Sequence, residues 1–276
     1  MTTTCTHVLA WARQHGVAHM DAQMLLLHVL QRSPHERAWL ITHSDDAITP
    51  EVQLAFERLC ERRMSGEPIA YLVGHKEFFG LSLEVDARVL DPRPDTETLV
   101  EWALELLQPL QAPEVADLGT GSGAIALALQ AHKRDARVLG VDASAQALAV
   151  ARANAQRLQL SVQWQQADWF RGVAGCFDLV VSNPPYIPEG DPHLPTLRHE
   201  PHSALVSGVD GLDDLRRIIT QTPTHLKPGG WLLLEHGFDQ SESVQSLLRA
   251  AGFTQVQGRK DLAGHLRCSG GTFTAV

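Results

Sequence analysis

The sequence predicts an α/β protein built on a parallel β-sheet, with a small helical domain in front of it. From residue 113 onward, short apolar segments alternate with helical segments, and this alternation predicts a sheet covered by helices on both faces. Residues 5–70 instead carry apolar side chains at helical spacing, which predicts a bundle of about four helices. We therefore expect a helical domain at 1–73, a β-hairpin linker at 74–94 and the α/β domain at 95–276.

The composition is that of a globular protein able to bury a sizeable core, with 44% hydrophobic and 20% charged residues. The net charge of -9 disfavours sequence-independent binding of nucleic acid. Four widely spaced cysteines without a CxxC pair favour reduced thiols and no metal site. Since no apolar run is long enough to span a membrane and the start lacks a signal-peptide core, we expect a cytoplasmic protein without a membrane partner.

The helical domain shows two clear helix starts. Ser33-Pro34-His35-Glu36 and Thr49-Pro50-Glu51 each combine a capping residue, a proline in the first turn and an early acidic side chain. No catalytic constellation accompanies them. Two roles remain open for this domain: docking of a partner, or stabilisation of the fold. After it, Leu81, Leu83 and Val85 alternate behind a glycine turn, which predicts the β-hairpin.

The α/β domain begins with a helix through Leu107, for which Asp95 or Thr96 is a plausible cap. Strands and helices then follow in turn, and two short strands close the domain. The predicted strands cover 115–118, 137–141, 162–164, 177–182 and 231–235; the helices between and after them cover 124–130, a segment ending at 158, 212–226 and a segment ending at 251.

A glycine-rich loop follows the first strand of this domain. Gly119-Thr120-Gly121-Ser122-Gly123 permits a tight turn and close backbone approach to a ligand at a helix N-terminus. Asp142 ends the second strand, where a carboxylate can accept hydrogen bonds from a ribose. The loop also satisfies the dinucleotide fingerprint, so an NAD-dependent oxidoreductase has to be weighed against other users of a ribose-bearing cofactor.

The fourth strand ends in Asn183-Pro184-Pro185-Tyr186, a stiff corner because prolines lack an amide hydrogen and extend the preceding residue. A planar NH2 group could donate one hydrogen to the Asn183 side-chain oxygen and the other to the Pro184 carbonyl, with Tyr186 over one face. Such a corner positions a nitrogen and does not act as an acid or base.

The expected topology brings this corner to the glycine loop. In doubly wound sheets the first and fourth strands are neighbours, and ligands bind beyond their carboxyl ends. A dehydrogenase would need a proton donor opposite its nicotinamide, whereas the corner offers only acceptors for an NH2 group. The pair of sites therefore favours a methyl acceptor placed beside a methyl donor.

Five segments narrow the function further; they are, in order, GEPIAYLVGHKEF, VLDPRPDTETLVEWAL, DLGTGSGAIALAL, VSNPPYIP and HEPHSALVSGVDGLD. Together they resemble the PrmC/HemK family, the bacterial release factor glutamine methyltransferases. The resemblance implies a Rossmann-like, seven-stranded class I methyltransferase sheet behind a small helical bundle and a linking β-hairpin. One residue departs from the family pattern, since Asp91 stands where an aliphatic residue is usual before Pro92-Arg93-Pro94.

The resemblance also implies roles for individual residues. The cofactor would be S-adenosyl-L-methionine, leaving as S-adenosyl-L-homocysteine, and the substrate the glutamine of the Gly-Gly-Gln loop in class-1 peptide chain release factors. Asn183, Pro184, Pro185 and Tyr186 would bind the substrate amide, with Asn183, Pro184 and Tyr186 serving catalysis. On the cofactor side, Asn183 would also make contact, Asp142 would hold the ribose, and Asp168 and Trp169 would flank the adenine. The methionine part would be held by the glycine-rich loop, Gly119, Thr120, Gly121, Ser122 and Gly123.

Other functions remain open on the sequence alone. The same chemistry could act on a ribosomal protein, or on adenine N6 of DNA, although the chain shows no basic groove or base-flipping domain. A protein that only binds S-adenosylmethionine is an alternative of another class. We expect a monomer that acts on a protein and contacts no nucleic acid directly. Arg93, Glu97 and residues 187–211, a segment with four prolines, would lie near the substrate entrance.

Overall fold

The computed structural model describes residues 3–274. These residues divide into two compact units, one ending at His75 and the other beginning at Lys76. The first unit is helical and the second contains the large sheet, so the two fold classes expected from the sequence occur in the expected order.

The helical unit is organised around fully buried leucines. Leu25, Leu26 and Leu27 are completely shielded from solvent and pack with Phe56 and Cys60. A short fifth helix in the Gly66–Gly74 segment adds to the four that were predicted; its five residues are too few to show a period. The helices are α1 (Cys5–Gln14), α2 (His19–Val29), α3 (Arg37–Thr42), α4 (Pro50–Met64) and α5 (Ile69–Val73).

The predicted β-hairpin is confirmed. Its strands β1 (His75–Phe78) and β2 (Leu81–Glu84) form a two-stranded sheet. Phe79 and Gly80 both have a positive φ, 49° and 74°, as a two-residue hairpin turn requires. This geometry is easy for glycine and unusual for phenylalanine.

The second unit contains a seven-stranded sheet with the strand order β5-β4-β3-β6-β7-β9-β8, which confirms the predicted α/β fold. All neighbouring pairs from β5 to β7 are parallel, and β9 runs antiparallel between β7 and β8. The elements are α6 (Glu97–Leu107), β3 (Glu114–Leu118), α7 (Ala124–His132), β4 (Arg137–Asp142), α8 (Ala145–Leu158), β5 (Gln163–Gln166), β6 (Phe177–Ser182), α9 (Asp213–Gln221), β7 (Leu226–Glu235), α10 (Ser241–Ala250), β8 (Thr254–Lys260) and β9 (Leu266–Phe273).

The strand order reverses at β3, which pairs in parallel with both β4 and β6. The register places Leu118, the last residue of β3, opposite Ser182, the last residue of β6. The Ser182 hydroxyl donates to the Leu118 carbonyl at 2.7 Å. Gly119 and Asn183 therefore leave the sheet side by side, as the topological argument from the sequence requires.

Two predicted boundaries are wrong. The segment Ser33-Pro34-His35-Glu36, expected to start a helix, forms a turn instead, and α3 begins at Arg37 with Glu36 as its N-cap. The helix expected over 212–226 ends at Gln221, a short 3₁₀ turn follows, and Leu226 already begins β7. Pro223 lacks the amide hydrogen needed to continue the helix. The strand start was hidden because the polar, glycine-containing run Lys227-Pro228-Gly229-Gly230 separates Leu226 from the apolar residues of β7.

A buried amide links β2 to α8, next to Arg157, which donates to the Ser82 carbonyl and pairs with Glu84. Asn154 is fully buried; its Oδ1 accepts from the Glu84 amide at 2.7 Å, and its Nδ2 donates to the carbonyls of Glu84 and Ser122, each at 3.0 Å. The Asn154 side chain thus provides hydrogen-bond partners for backbone groups at the end of the hairpin and in the glycine-rich loop.

Candidate active site

The glycine-rich loop has the backbone conformation that its glycines permit. Gly119, Gly121 and Gly123 have φ values of 71°, 56° and 83°, a region that disfavours a side chain. A Cβ on Gly119 would stand 3.2 Å from the Trp169 ring. The amides of Gly119 and Thr120 donate to the Val141 carbonyl at 2.8 and 2.9 Å, which ties the loop to the end of β4.

A buried carboxylate supports the loop from inside. Asp117 Oδ2 accepts from the Thr120 hydroxyl at 2.6 Å and from the Ala126 amide at 3.1 Å. Burial raises the pKa of Asp117 to about 7, against the effect of these two hydrogen bonds. Thr120 therefore faces the protein interior and secures the loop.

Asp142 stands at the carboxyl end of β4 and holds the other side of the loop. Its two oxygens accept from the amides of Gly121 (2.9 Å) and Ser144 (2.8 Å). Burial raises the pKa of Asp142 above its ordinary value, although both hydrogen bonds lower it. The carboxylate is thus pre-positioned before any ligand arrives.

These elements surround a cavity of about 390 Å³, within the range typical of small-molecule sites. Most of the residues predicted from the sequence come together here: Gly119, Gly121, Asp142, Asp168 and Trp169 line the cavity, as do Asn183 and Pro185. The other predicted residues neighbour these in the sequence but do not line the cavity; they are Thr120, Ser122, Gly123, Pro184 and Tyr186.

Trp169 is held on one side of the cavity in an uncommon conformation. Its φ is 52°, and its indole Nε1 donates to Asp214 Oδ1 at 3.1 Å. The neighbouring Asp168 pairs with Arg217 at 2.6 Å. Asp214 and Arg217 also line the cavity and were missed by sequence reasoning, since nothing in α9 distinguishes them from ordinary helix-surface charges.

Asn183 faces the cavity at the end of β6, half-buried, between the buried Ser182 and Pro184. Its Nδ2 donates to the Thr96 hydroxyl oxygen at 3.2 Å. Thr96 is the N-cap residue of α6, as the sequence suggested, but its side chain makes no capping hydrogen bond. Within residues 3–274, Asn183 Oδ1 has no hydrogen-bond partner, so this acceptor is available to a ligand.

Tyr186 is anchored behind the corner. Its hydroxyl donates to Glu235 Oε1 at 3.4 Å, and its carbonyl accepts from Gln240 Nε2 at 3.0 Å. Burial raises the pKa of Tyr186 above its ordinary value, which keeps the hydroxyl protonated. The pKa of Glu235 is raised to about 7, mainly by burial and to a smaller extent by the negative charge of Asp95. Three neighbours lower this pKa: Thr96, Arg267 and Tyr186.

Two further segments contribute to the cavity lining, residues 87–90 and, from the second, Pro201, Ser203 and Ala204. Arg93 pairs with Glu200 at 2.6 Å and lies 3.4 Å from Asp91, which also pairs with Lys76 at 3.3 Å. This ion-pair cluster gives a physical reason for the acid at position 91. Arg93 thus joins the two segments, whereas Glu97 accepts from the Phe79 amide of the hairpin at 2.9 Å.

Two kinds of feature are absent from the described part of the chain. No group of three or more histidine, cysteine, aspartate or glutamate side chains in residues 3–274 is placed to hold a metal ion. None of the described helices is both long enough and apolar enough to cross a membrane.

Solved structures with the same fold are methyltransferases. A methyltransferase from Pyrococcus furiosus superimposes with a TM-score of 0.53 at 20% identity, over 72% of this chain and 91% of its own. A T. thermophilus 16S rRNA methyltransferase (RsmC), in complex with AdoMet and guanosine, gives a TM-score of 0.54 at 20% identity, over 72% of this chain and 49% of its own. Residues 96–198 match the Methyltransferase small domain. The fold is thus one that methyltransferases share, and part of the chain matches a methyltransferase domain.

Closer relatives identify the family. The release factor glutamine methyltransferase of Bordetella pertussis is 48% identical over 260 residues, 93% of this chain and 95% of the relative. That of Xylella fastidiosa strain Temecula1 is 48% identical over 250 residues, 89% of this chain and 90% of the relative. Residues 5–74 match the PrmC N-terminal domain. The chain belongs to the release factor glutamine methyltransferase family, which confirms the resemblance found in the sequence.

Proposed function

We propose that the protein transfers a methyl group from S-adenosyl-L-methionine to the side-chain nitrogen (N5) of the glutamine in the Gly-Gly-Gln loop of class-1 peptide chain release factors. The observation that carries the proposal is that Asn183 Oδ1 has no hydrogen-bond partner within residues 3–274, while Asn183 lines the same cavity as the glycine-rich loop. The names of relatives that align over about nine-tenths of the chain support the choice of substrate.

The residues around the cavity fit S-adenosylmethionine. The glycine-rich loop of Gly119–Gly123 lets the backbone approach the methionine part without side-chain collision. Asp142 offers carboxylate oxygens to the ribose hydroxyls, and Asp168 and Trp169 would flank the adenine. When bound, the cofactor supplies a methyl group already activated on a sulfonium sulfur and leaves as S-adenosylhomocysteine.

The chain would act mainly by positioning the substrate nitrogen. An amide nitrogen is a weak nucleophile, because its lone pair is delocalised into the carbonyl. Asn183 Oδ1 and the Pro184 carbonyl would accept its two hydrogens and so direct the nitrogen, with Pro185 and Tyr186 completing the pocket. Correct orientation of two reactants can contribute up to ~7–11 kcal/mol.

The same acceptors would stabilise the transition state. The nitrogen gains positive character as the new bond forms, so hydrogen bonds to Asn183 and Pro184 strengthen, and interactions that strengthen in the transition state are those that raise the rate. No dedicated base is required, since a protonated N-alkyl amide is a strong acid and loses its proton to water.

The helical unit would dock the release factor, since it carries no catalytic constellation of its own. We extend the proposal to a three-part organisation, with docking by residues 1–73, a linker at 74–94 and transfer by residues 95–276. That the protein acts as a monomer, in the cytoplasm and without direct contact to nucleic acid stays a prediction.

Asn183→Ala tests the proposal. The variant should methylate purified release factor at least ~100-fold more slowly, by analogy with the loss of one preorganised hydrogen-bond group, while it binds S-adenosylhomocysteine almost normally in a calorimetric titration. Gln146→Ala is the matched control, because it removes an exposed amide that lines the same cavity and should leave both measurements nearly unchanged.

The substrate is tested in the same assay with a release factor in which the loop glutamine is replaced. Loss of labelling identifies that glutamine as the acceptor. Near-normal turnover by Asn183→Ala would refute the positioning model, and unchanged labelling of the altered release factor would refute the substrate.

A further inference from the structure

Asn183 can act as an acceptor only if its amide is turned the right way. The two ends of the group have almost the same shape, but one accepts hydrogen bonds and the other donates them. Rotation by half a turn would present an NH2 group to the substrate nitrogen, which needs an acceptor. Something outside Asn183 has to select one orientation.

Thr96 is placed to make this selection. Its hydroxyl oxygen lies 3.2 Å from Asn183 Nδ2, and Thr96 is 3% exposed, so water does not compete strongly for the contact. Thr96 belongs to the short turn Pro94–Thr96 that leads into α6. The turn and the N-terminus of the helix therefore fix the position of the hydroxyl relative to the end of β6.

A hydroxyl can both donate and accept, so its own hydrogen must be engaged elsewhere if it is to select one end of an amide. Glu235 offers that partner, because Glu235 Oε2 is buried and accepts no hydrogen bond from any described residue, and the neighbouring Thr96 hydroxyl lowers the pKa of this carboxyl group. Glu235 is 1% exposed and its Oε1 accepts from the Tyr186 hydroxyl. Above pH 7, where Glu235 is mostly ionised, the carboxylate only accepts; we therefore expect the Thr96 hydrogen to point to Glu235 and a lone pair of Thr96 Oγ1 to face Asn183.

We propose that Thr96 is a positioning residue: it accepts a hydrogen bond from the Asn183 amide and thereby turns Asn183 Oδ1 toward the substrate nitrogen. For its effect on catalysis the inference rests on the proposed function, whereas the orientation of Asn183 can be measured without any substrate. The sequence suggested only a helix cap at Thr96, and the structure gives its hydroxyl a different use.

The orientation is tested by NMR. The chain contains only two asparagines, Asn154 and Asn183, so a sample labelled with ¹⁵N-asparagine shows two side-chain amide pairs, assigned with the Asn183→Ala variant. Thr96→Val should shift the Asn183 amide protons and speed their exchange with water, and Thr96→Ser should restore both. Thr98→Val, on α6 itself, is the control and should leave the pair in place. An Asn183 pair that does not move in Thr96→Val overturns the inference.

The consequence is tested by kinetics at pH 8. Thr96→Val should lower kcat about tenfold to a hundredfold, the range for a hydrogen bond whose buried partner is left unsatisfied, with cofactor affinity and melting temperature nearly unchanged. Thr96→Ser should recover most of kcat, and Thr96→Val should cost nothing further in an Asn183→Ala background. If Thr96→Val folds poorly, the test uses Thr96→Ser alone. The inference then requires that Thr96→Ser keep a near-normal kcat and leave the Asn183 amide signals in place, and failure of either refutes it.

The outcomes separate the two proposals. A wild-type enzyme that labels no release factor refutes the proposed function, while the NMR result still decides whether Thr96 orients Asn183. A wild-type enzyme that labels the factor, together with a Thr96→Val variant within twofold of its kcat, refutes the inference alone. A loss of kcat that Thr96→Ser does not restore also refutes it, because shape and not the hydroxyl would then be responsible.

Discussion

Replacing Asp142 by alanine should separate cofactor binding from the stability of the site. The carboxylate accepts from the amides of Gly121 and Ser144, and we assign its remaining lone pairs to the cofactor ribose. A hydrogen bond to a charged group contributes ~1.5–3 kcal/mol. Loss of the ribose interaction should therefore weaken binding about 10- to 150-fold.

The same substitution leaves two backbone amides without their partner, so stability has to be measured in parallel. We expect the free energy of unfolding to fall by ~1–3 kcal/mol, since the Gly121 and Ser144 amides regain only part of their hydrogen bonding from water. The assay is a calorimetric titration of S-adenosylhomocysteine, at a temperature where thermal melting shows Asp142→Ala to be folded.

Ser144→Ala is the matched control for this experiment. Ser144 also lines the cavity, and its hydroxyl caps α8 by accepting from the Ala147 amide at 3.1 Å. Its removal should cost ~1 kcal/mol of stability with cofactor affinity changed by no more than a few-fold. If Asp142→Ala binds the cofactor within threefold of wild type, Asp142 does not recognise the ribose. If both variants weaken binding equally, loop distortion explains the effect.

Two further predictions concern the scaffold of the site. Burial in the folded state raises the pKa of Asp117 to about 7, above the ordinary value near 3.9. The folded protein therefore binds this proton more tightly than the unfolded chain does, and the free energy of unfolding falls as the pH rises from about 4 to about 7. Asp117→Asn should remove up to ~1.4 kcal/mol per pH unit from that slope, measured by urea denaturation between pH 5 and 7. Asn154→Ala should destabilise the sheet-containing unit by ~2–4 kcal/mol, because backbone groups of Glu84 and Ser122 lose buried partners, as followed by thermal melting.

Each of these has a clear contrary result. An unchanged pH slope in Asp117→Asn would mean that another buried acid, such as Glu235, sets the pH dependence. A melting temperature for Asn154→Ala equal to that of Gln156→Ala, an exposed amide on the same helix, would mean that the hairpin is held by other contacts.

The sequence predicted the neighbourhood of the glycine-rich loop and the Asn183 corner, since both follow strands whose order is set by general rules of parallel sheets. It could not predict the register, which pairs Leu118 with Ser182, because several registers bury apolar strands equally well. Within the cavity it found the residues of the loops that follow β3, β4 and β6, whose chemistry is visible in short motifs.

The contacts that support the site were not predictable in the same way. Thr96 and Asn183 are 87 positions apart, and their meeting depends on how the start of α6 packs against the end of β6. Asp214 and Arg217 sit on α9 among other charges and acquire a role only through the fold. Pro201 and Ser203 were anticipated in part, because their proline-rich segment was expected near the entrance and does line the cavity.

The position of β9 determines the order in which the sheet can be assembled. Because β9 lies between β7 and β8, β8 has no strand to pair with until residues 266–273 have been synthesised. Up to that moment β7, whose residues Leu232 to Leu234 are fully buried in the finished protein, presents an unpaired edge. Such edges are sites of aggregation in folding intermediates, so an intermediate in which β9 has not yet docked leaves the edge of β7 open to pairing with another chain.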